Sequence, residues 1–225
     1  MLSLNNISFS YDKKQAVLQG VGFEVAKGEM VAILGSSGSG KSTLLNIIAG
    51  LQFPSEGKIL LDGNDITKVP CEKRNIGLIF QDYALFPHLT VEKNVAFSLK
   101  SHKHPLVQEM LDLVKLGAYK KRYPYELSGG EQQRVAIARS LAAKPSVLLL
   151  DEPFSNLDAD LKKQVRREMK EILSASQITS ILVTHDVEDA YDLAERIIFL
   201  KNGKVEKIEA REQREKGNQA EKENK

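Results

Sequence analysis

The sequence predicts an α/β protein built on a mostly parallel sheet, with an antiparallel portion near the N-terminus. Short apolar runs rich in β-branched residues alternate with helix-like stretches, a pattern typical of buried parallel strands covered by helices. The stretches Leu2–Phe9 and Gly22–Val25 come closer to strict alternation, which favours antiparallel strands with one solvated face. The composition agrees, since 42% hydrophobic and 28% charged residues in a chain of 225 are typical of a folded globular domain.

The individual elements follow from these patterns in chain order. Predicted strands lie near Leu2–Phe9, Met30–Leu34, Lys58–Leu61, Gly77–Phe80, Val147–Leu150, Ser180–Thr184 and Ile197–Leu200. Predicted helices span Leu44–Ala49, Val91–Leu99, Leu106–Leu116, Glu131–Ala143 and Ala159–Leu173, the last capped by Asp158. Because the pattern is entirely helical between about Thr90 and Leu127, we expect a helical lobe, at about residues 88–145, inserted into the α/β body.

Charge and composition exclude several classes of protein. The 32 basic and 30 acidic side chains give a formal charge of +2, so binding to a polyanion by charge alone is not expected. The single cysteine, Cys71, cannot form an intrachain disulfide, which fits a reducing compartment. No apolar run approaches the roughly 18 residues needed to span a bilayer, so we expect any membrane association to require a partner. Residues 209–225 carry ten charged side chains and no large apolar one, which predicts a solvated tail.

A glycine-rich segment between a predicted strand and a predicted helix carries the clearest functional signal. It consists of Gly35, Ser36, Ser37, Gly38, Ser39, Gly40, Lys41, Ser42 and Thr43. The pattern G-x-x-x-x-G-K-[ST] in this context is typical of a phosphate-binding loop, whose backbone amides and helix N-terminus bind phosphate oxygens. We expect Lys41 to bridge the β- and γ-phosphates of a nucleotide and Ser42 to bind Mg²⁺. The fold is therefore predicted to be that of a P-loop NTPase.

Two acids follow the apolar strand Val147–Leu150. An acid at the carboxyl end of such a strand lies at the edge where α/β sheets bind ligands, so we expect Asp151 to join the Mg²⁺ site. Glu152 is then expected to orient or deprotonate the attacking water. A kinase, a GTPase, a recombinase and a transport motor all remain compatible with these two motifs.

A second anion site is predicted just before the helix Glu131–Ala143. Backbone amides at 128–130, the Ser128 hydroxyl and the helix dipole converge there. Since one γ-phosphate needs only one such site, the second implies that two chains share each nucleotide.

The stretch from Leu127 to Arg134, together with the phosphate loop, makes the sequence resemble the nucleotide-binding subunit of an ABC transporter. The resemblance covers this chain from about Leu2 to Lys207. The resemblance implies one ABC ATPase domain over about residues 1–208, hydrolysing MgATP as a head-to-tail dimer. Ser128, Gly129, Gly130 and Glu131 of one chain would bind the ATP held by the other. Further implied residues are Gln81 as a Mg²⁺-sensing lid glutamine, His185 as a γ-phosphate contact, Tyr11 and Val17 at the adenine, and Ser155 and Asp158 in a loop that meets the second subunit.

The segment from Pro70 to Phe97 is similar to the importer branch that serves polyamines, iron(III), thiamine, sulfate and molybdate. In that branch Tyr83, Leu85 and Phe86 would contact transmembrane permease subunits. The resemblance implies a peripheral protein at the cytoplasmic face of the cell membrane, a homodimer or an equivalent second ATPase subunit, and an external substrate-binding protein. No direct contact with nucleic acid is expected.

Two alternatives stay open from the sequence. An exporter or lipoprotein-release motor has the same fold, although the segment around Gln81 resembles the importer branch. A non-transport ABC ATPase acting on ribosomes or DNA is less favoured, because only 46 residues separate Gln81 from Ser128 and leave no room for an inserted coiled coil or zinc module. His102 and His104 are a weak candidate for a metal site, with no second pair of ligands near them in sequence.

Overall fold

The computed structural model describes residues 1–12, 16–155, 157 and 159–210, in two compact units. The first unit contains the described residues of 1–74 and 179–210, and the second contains those of 75–178. The lobe predicted at about residues 88–145 falls within the second unit. No helix in these described ranges is both long and apolar enough to cross a membrane.

The first unit holds the antiparallel portion and part of the parallel sheet. Its elements are β1 (Leu2–Ser10), β2 (Ala16–Val25), β3 (Met30–Leu34), α1 (Lys41–Ala49), β4 (Glu56–Leu61), β5 (Asn64–Asp65), β8 (Thr179–Thr184), α6 (Val187–Leu193), β9 (Arg196–Lys201) and β10 (Lys204–Ala210). Strands β2, β1, β4 and β5 form an antiparallel sheet in that order. In the other sheet β3 lies between β9 and β8 and is parallel to both, while β10 is antiparallel to β9. This mixture confirms the predicted fold class.

Strand β3 is the centre of this unit's core. All five of its residues are buried, as are all six of β8, which explains why both sequences read as continuous apolar runs. The parallel register sets Leu34 opposite Thr184, so the two strands end at the same level. The glycine-rich loop follows β3 and His185 follows β8. Both therefore emerge at the same edge of the sheet.

The second unit combines two parallel strands with most of the helices. Its elements are β6 (Ile76–Ile79), α2 (Val91–Val95), α3 (Pro105–Leu113), α4 (Gly129–Ala142), β7 (Val147–Asp151) and α5 (Ala159–Ser176), with short 3₁₀ turns at Ala96–Ser98, Gly117–Tyr119 and Pro124–Glu126. Helix α4 packs against α2, α3, α5 and β6. It is the central helix of this unit, with Val135 and Ala138 fully buried.

Several predicted boundaries need correction. The helix predicted over Val91–Leu99 ends at Val95 and continues as the turn Ala96–Ser98. Strand β10 takes in the first two residues of the predicted solvated tail, because Glu209 pairs with Ile197 and Ala210 with Arg196. The rest of that tail, and Asp158 with its predicted capping role, lie outside the described residues. Strands β5 and β10 and helix α6 were not predicted.

Arg74 is a buried cation that joins the end of α1 to the segment after β5. The residue is 2% exposed. Its guanidinium donates to the carbonyls of Ile47 at 2.7 Å, Ile48 at 2.9 Å, Thr67 at 2.8 Å and Val69 at 2.6 Å. Burial lowers the pKa of Arg74. The positive charge faces the carbonyl end of α1, where a helix dipole favours a cation, so these bonds hold the helix that begins with the glycine-rich loop.

We expect Arg74→Met to destabilise the protein by about 2–4 kcal/mol, since it leaves buried carbonyls without their charge-assisted donors. Urea unfolding at unchanged m-value measures the loss. Arg167→Met is the matched control. Arg167 is exposed, and its guanidinium makes one long hydrogen bond, 3.5 Å, to the Lys163 carbonyl. Equal urea midpoints for Arg74→Met and Arg167→Met would show that the four hydrogen bonds from Arg74 to backbone carbonyls contribute nothing to stability.

Candidate nucleotide site

The glycine-rich loop leaves β3 in a conformation that needs its glycines. Gly38 and Gly40 have φ angles of 78° and 100°, in the left-handed region where a side chain is strained. At Gly35 an added Cβ would lie 2.3 Å from the Leu200 carbonyl oxygen, so a larger residue would push the backbone away. The loop is thus fixed closely against β9, and its amides precede a helix with no acid in its first turn.

Lys41, the first residue of α1, reaches back across this loop. Its side-chain Nζ donates to the carbonyls of Gly35 at 2.8 Å and Ser36 at 2.9 Å, and the residue is 5% exposed. The ammonium is therefore held over the loop by the loop itself. A phosphate bound at the N-terminus of α1 would meet both the helix dipole and this charge.

Ser39 supplies an unsatisfied polar group in the same loop. Its hydroxyl is buried and has no hydrogen-bond partner among the residues that the structure describes. Its carbonyl accepts from the Gly203 amide at 3.2 Å, which fixes the backbone. Since buried polar atoms normally have partners, an orphaned hydroxyl inside a glycine-rich loop fits a missing polar ligand such as a phosphate.

Tyr11 and Val17, which are predicted to lie at the adenine, are close to the helix that follows the loop and to the loop itself. The Tyr11 hydroxyl is 3.1 Å from the Thr43 hydroxyl, and its ring packs edge-on against Phe9 with centroids 4.9 Å apart. The residue is still 64% exposed, so ring surface is available for stacking. The Val17 carbonyl would be 3.0 Å from a Cβ at Gly40, which places the Val17 backbone against the loop.

His185 emerges at the same edge as the loop. The amide of Gly35 donates to the Thr184 carbonyl at 3.4 Å, which ties the two strand ends together. The Thr184 hydroxyl donates to Asp189 at 3.2 Å and accepts from the amide of Asp186 at 3.0 Å. Asp186 in turn caps α6. This buried Thr184 to Asp189 contact was not predicted, although an aspartate followed by two more acids is a recognisable helix start.

In the second unit, Asp151 ends β7 and Glu152 begins a tight turn. Glu152 has a φ of 43°, an uncommon angle for a residue with a side chain. Its carbonyl accepts from the Ser155 hydroxyl at 2.9 Å and from the Ser155 amide at 3.2 Å. Ser155, predicted to meet a second subunit, thus holds the backbone that orients Glu152, and a subunit contact for it stays a prediction.

Ser128 caps helix α4 in a capping box. The Ser128 hydroxyl accepts from the amide of Glu131 at 3.4 Å, and the Glu131 carboxylate accepts from the Ser128 amide at 2.8 Å. A Cβ at Gly130 would lie 2.6 Å from Val165 Cγ2, so this glycine allows close packing of α4 on α5. Gly130 is therefore needed for packing, apart from its place in the predicted anion site, whose helix end now holds the carboxylate of Glu131.

The predicted permease-contact residues lie in a loop after β6, and one of them, Tyr83, is buried. Tyr83 is 5% exposed, and its hydroxyl donates to the Pro153 carbonyl at 3.3 Å. Burial raises the pKa of Tyr83. Arg139 fixes the strained backbone by donating to the carbonyls of Tyr83 at 2.9 Å and Ala84 at 2.6 Å. Tyr83 thus faces inward, and it can act on a surface partner only through the loop it supports.

Phe86 keeps a partly exposed aromatic surface in this loop. Its ring stacks on that of Phe97, with centroids 4.2 Å apart, and Phe97 is 60% exposed. Leu85 is half-buried, and Gln81 is exposed. The apolar surface at this loop therefore includes Phe97, which the sequence did not single out because it falls at the end of a predicted helix.

Asn94 holds the loop in place from within α2. It is fully buried, and its side chain accepts from the Phe86 amide at 2.9 Å. Its amide nitrogen donates to the carbonyls of Phe86 at 3.1 Å, Leu89 at 3.0 Å and Thr90 at 3.2 Å. One side chain thus satisfies the backbone of a whole turn.

We expect Asn94→Ala to destabilise the protein by about 2–3 kcal/mol and to leave nucleotide affinity unchanged, because it unties this loop and leaves buried backbone groups unpaired. Hydrogen exchange at the Phe86 amide should accelerate in step with the loss of stability. Asn64→Ala, at an exposed asparagine, is the control. A protected Phe86 amide in Asn94→Ala would contradict the assigned role.

The residues predicted to bind Mg²⁺ offer only oxygen donors. Ser42 supplies a hydroxyl, Gln81 an amide oxygen and Asp151 a carboxylate, which is the donor chemistry that this hard cation prefers. His102 and His104 are different: in the part of the chain that the structure describes, no group of three or more His, Cys, Asp or Glu side chains could hold a metal.

The fold and the glycine-rich loop together define a P-loop nucleotide-binding protein. Residues 18–155 match the ABC transporter family. The chain is 48% identical over 211 residues to a sulfate/thiosulfate import ATP-binding protein of Synechocystis, covering 91% of this chain and 59% of that relative. It is also 48% identical to the putrescine transport ATP-binding protein of Escherichia coli, covering 92% and 56% of the two chains.

A solved structure gives the same result for the fold. The dimeric post-hydrolysis state of the ATP-binding cassette MJ0796, bound to ADP and Pi, is 34% identical with a TM-score of 0.77, over 94% of this chain and 99% of that one. The chain belongs to the ABC transporter family, as an ATP-binding component of it. It spans about three fifths of the length of the two curated relatives.

Proposed function

We propose that this chain hydrolyses MgATP to drive uptake of a small solute through a membrane transporter. The observation that carries the proposal is the phosphate loop, in which Lys41 lies over the loop carbonyls and the Ser39 hydroxyl has no partner among the described residues. A triphosphate would satisfy both the buried hydroxyl and the α1 N-terminus. The exposed Tyr11 ring supports an adenine nucleotide, since an aromatic face suits a purine.

The hydrolytic roles follow from the side chains themselves. Asp151, Ser42 and Gln81 would bind Mg²⁺, and this ion would neutralise charge on the β- and γ-phosphates. Glu152 accepts a proton from the attacking water, and the turn fixed by Ser155 sets the direction of its carboxylate. His185, on the turn anchored by Thr184 and Asp189, contacts the γ-phosphate.

A dimer completes the proposed site. Ser128, Gly129, Gly130 and Glu131 of one chain would bind the nucleotide of a second chain, and the backbone amides and dipole at the N-terminus of α4 support this role. Binding of a γ-phosphate would first have to move the Glu131 carboxylate, which occupies that helix end through its bond to the Ser128 amide. ATP that favours the closed dimer biases a two-state equilibrium in the way coupling to transport requires.

The partners and cargo are proposed from the relatives. Permease subunits would bind at the loop around Leu85 and Phe86, with Phe97 widening the apolar surface, and the chain would lie at the cytoplasmic face of the membrane. An external binding protein would deliver the solute. Sulfate and thiosulfate, named for one relative, are the first cargoes to test, and putrescine is the second.

Purification of the tagged chain from its own membranes in mild detergent, followed by mass spectrometry, tests this proposal. We expect multi-span proteins and a substrate-binding protein to co-purify, and the ligand of that binding protein identifies the cargo. Ribosomal or DNA-bound partners without any membrane protein would refute the transport function and leave only an ATPase.

A further inference from the structure

The second unit contains a cavity of about 370 Å³ that is lined by no residue assigned to the nucleotide site or to the permease contact. Its rim carries Lys103, Lys120 and Lys121, with Glu92 the one acid among its lining residues. Val107 and Leu111, both buried, contribute an apolar floor. The size is within the range of pockets that bind small ligands, and the balance of three cations to one carboxylate makes it strongly positive. We call it the lysine cavity.

The lysines that line the lysine cavity lack carboxylate partners. None of Lys103, Lys120 and Lys121 forms an ion pair with any residue that the structure describes. All three lysines are exposed, so their ammonium groups are open to an anion from solvent. An anion that contacts two or more of them would gain Coulomb energy from each, which is why the cluster points to a ligand.

The backbone around the lysine cavity is held in place. The amide of Glu92 donates to the Lys120 carbonyl at 2.9 Å, and the amide of Val91 donates to the Arg122 carbonyl at 2.8 Å. On the other side, the Lys103 amide donates to the Ser101 hydroxyl at 3.1 Å. Lys120 and Lys121 therefore extend from a segment that is hydrogen-bonded to the start of α2, and Lys103 extends from a turn that leads into α3. Binding would mainly order side chains on the α2 side.

His104 adds an oriented donor to the lining. Its Nδ1 accepts from the Leu106 amide at 3.2 Å, where it caps helix α3. This bond leaves Nε2 as the nitrogen that carries the proton of the neutral ring. A cavity with ammonium groups and an imidazole N–H but little acid suits an acceptor-only ligand.

We propose that the lysine cavity binds a phosphate-bearing anion, either free in solution or as the headgroup of an anionic lipid. Lysine acts as a point charge toward phosphate, and several such charges around one cavity favour a ligand with more than one negative charge. The proposal does not depend on ATP hydrolysis, because no residue of the phosphate loop lines the cavity.

The test uses the full chain carrying Lys41→Ala, so that the phosphate loop does not mask binding elsewhere. Inorganic pyrophosphate is titrated calorimetrically, and sedimentation measures binding to phosphatidylcholine vesicles with and without phosphatidylglycerol. We expect saturable binding in at least one arm, weakened about tenfold or more by Lys103→Gln, Lys120→Gln and Lys121→Gln combined. Pyrophosphate binding identifies a soluble ligand, and vesicle binding alone identifies a headgroup.

The matched control combines Lys58→Gln, Lys73→Gln and Lys204→Gln, which removes the same charge from exposed positions in the first unit. We expect it to retain the binding. Absence of binding in both arms, or equal weakening by the two triple variants, would overturn the proposal, since either result reduces the lysine cavity to a solvated basic surface.

Discussion

Replacing Lys41 with alanine is expected to weaken ATP binding by about ten- to a hundredfold and to abolish turnover, because hydrogen bonds from a charged donor are each worth about 1.5–3 kcal/mol. The Lys41 ammonium, now bonded to the carbonyls of Gly35 and Ser36, lies at the loop where a phosphate would bind. Its loss removes both the ligand contact and the tie across the loop. Equilibrium binding of a fluorescent ATP analogue measures the effect.

The control for Lys41→Ala is Lys58→Ala, at an exposed position on β4. It changes the net charge equally and should leave affinity unaltered. Circular dichroism checks that both variants fold. If Lys41→Ala binds ATP with an affinity within twofold of that of the unmodified protein, the glycine-rich loop is not the nucleotide-binding site.

Glu152→Gln should lower the turnover rate by about 10²–10⁴-fold, the range that a positioned general base contributes. Glutamine has the same shape but cannot accept the proton, and the φ of 43° at this position should be equally tolerated. ATP affinity should change little, because the substitution acts on the chemical step. Phosphate release at saturating MgATP measures the rate.

Glu109→Gln on α3 provides the comparison, since Glu109 is exposed and belongs to no predicted site. Its turnover should match that of the unmodified protein. A Glu152→Gln variant that retains full turnover would require a different residue to activate the water.

The sequence predicts the fold best where burial is uniform. The strand Met30–Leu34 was predicted to the residue, because a continuous apolar run between Glu29 and Gly35 has no other way to bury itself. Strand β10 was missed for the opposite reason. It is an edge strand in which four of the seven residues are charged, so it lacks the regular alternation of apolar and polar residues that predicts a strand.

The motifs of the site were predictable, but the residues that support them were not. Phosphate loops have a local pattern, so positions 35–43 are recognisable without any tertiary information. Arg74 has no such pattern. Its four carbonyl acceptors lie up to 27 residues away along the chain and come together only when the chain folds. Tyr83 was assigned to a surface because its sequence neighbours do not reveal its burial or its hydrogen bond to the Pro153 carbonyl, 70 residues away.

Light scattering on Glu152→Gln tests most directly whether two chains share each MgATP. We expect MgATP to convert this variant to a species of about twice the monomer mass, and Ser128→Arg in the same background to stay monomeric because the arginine blocks the N-terminus of α4. A Glu152→Gln variant that stays at monomer mass with saturating MgATP and high protein concentration would contradict the shared site.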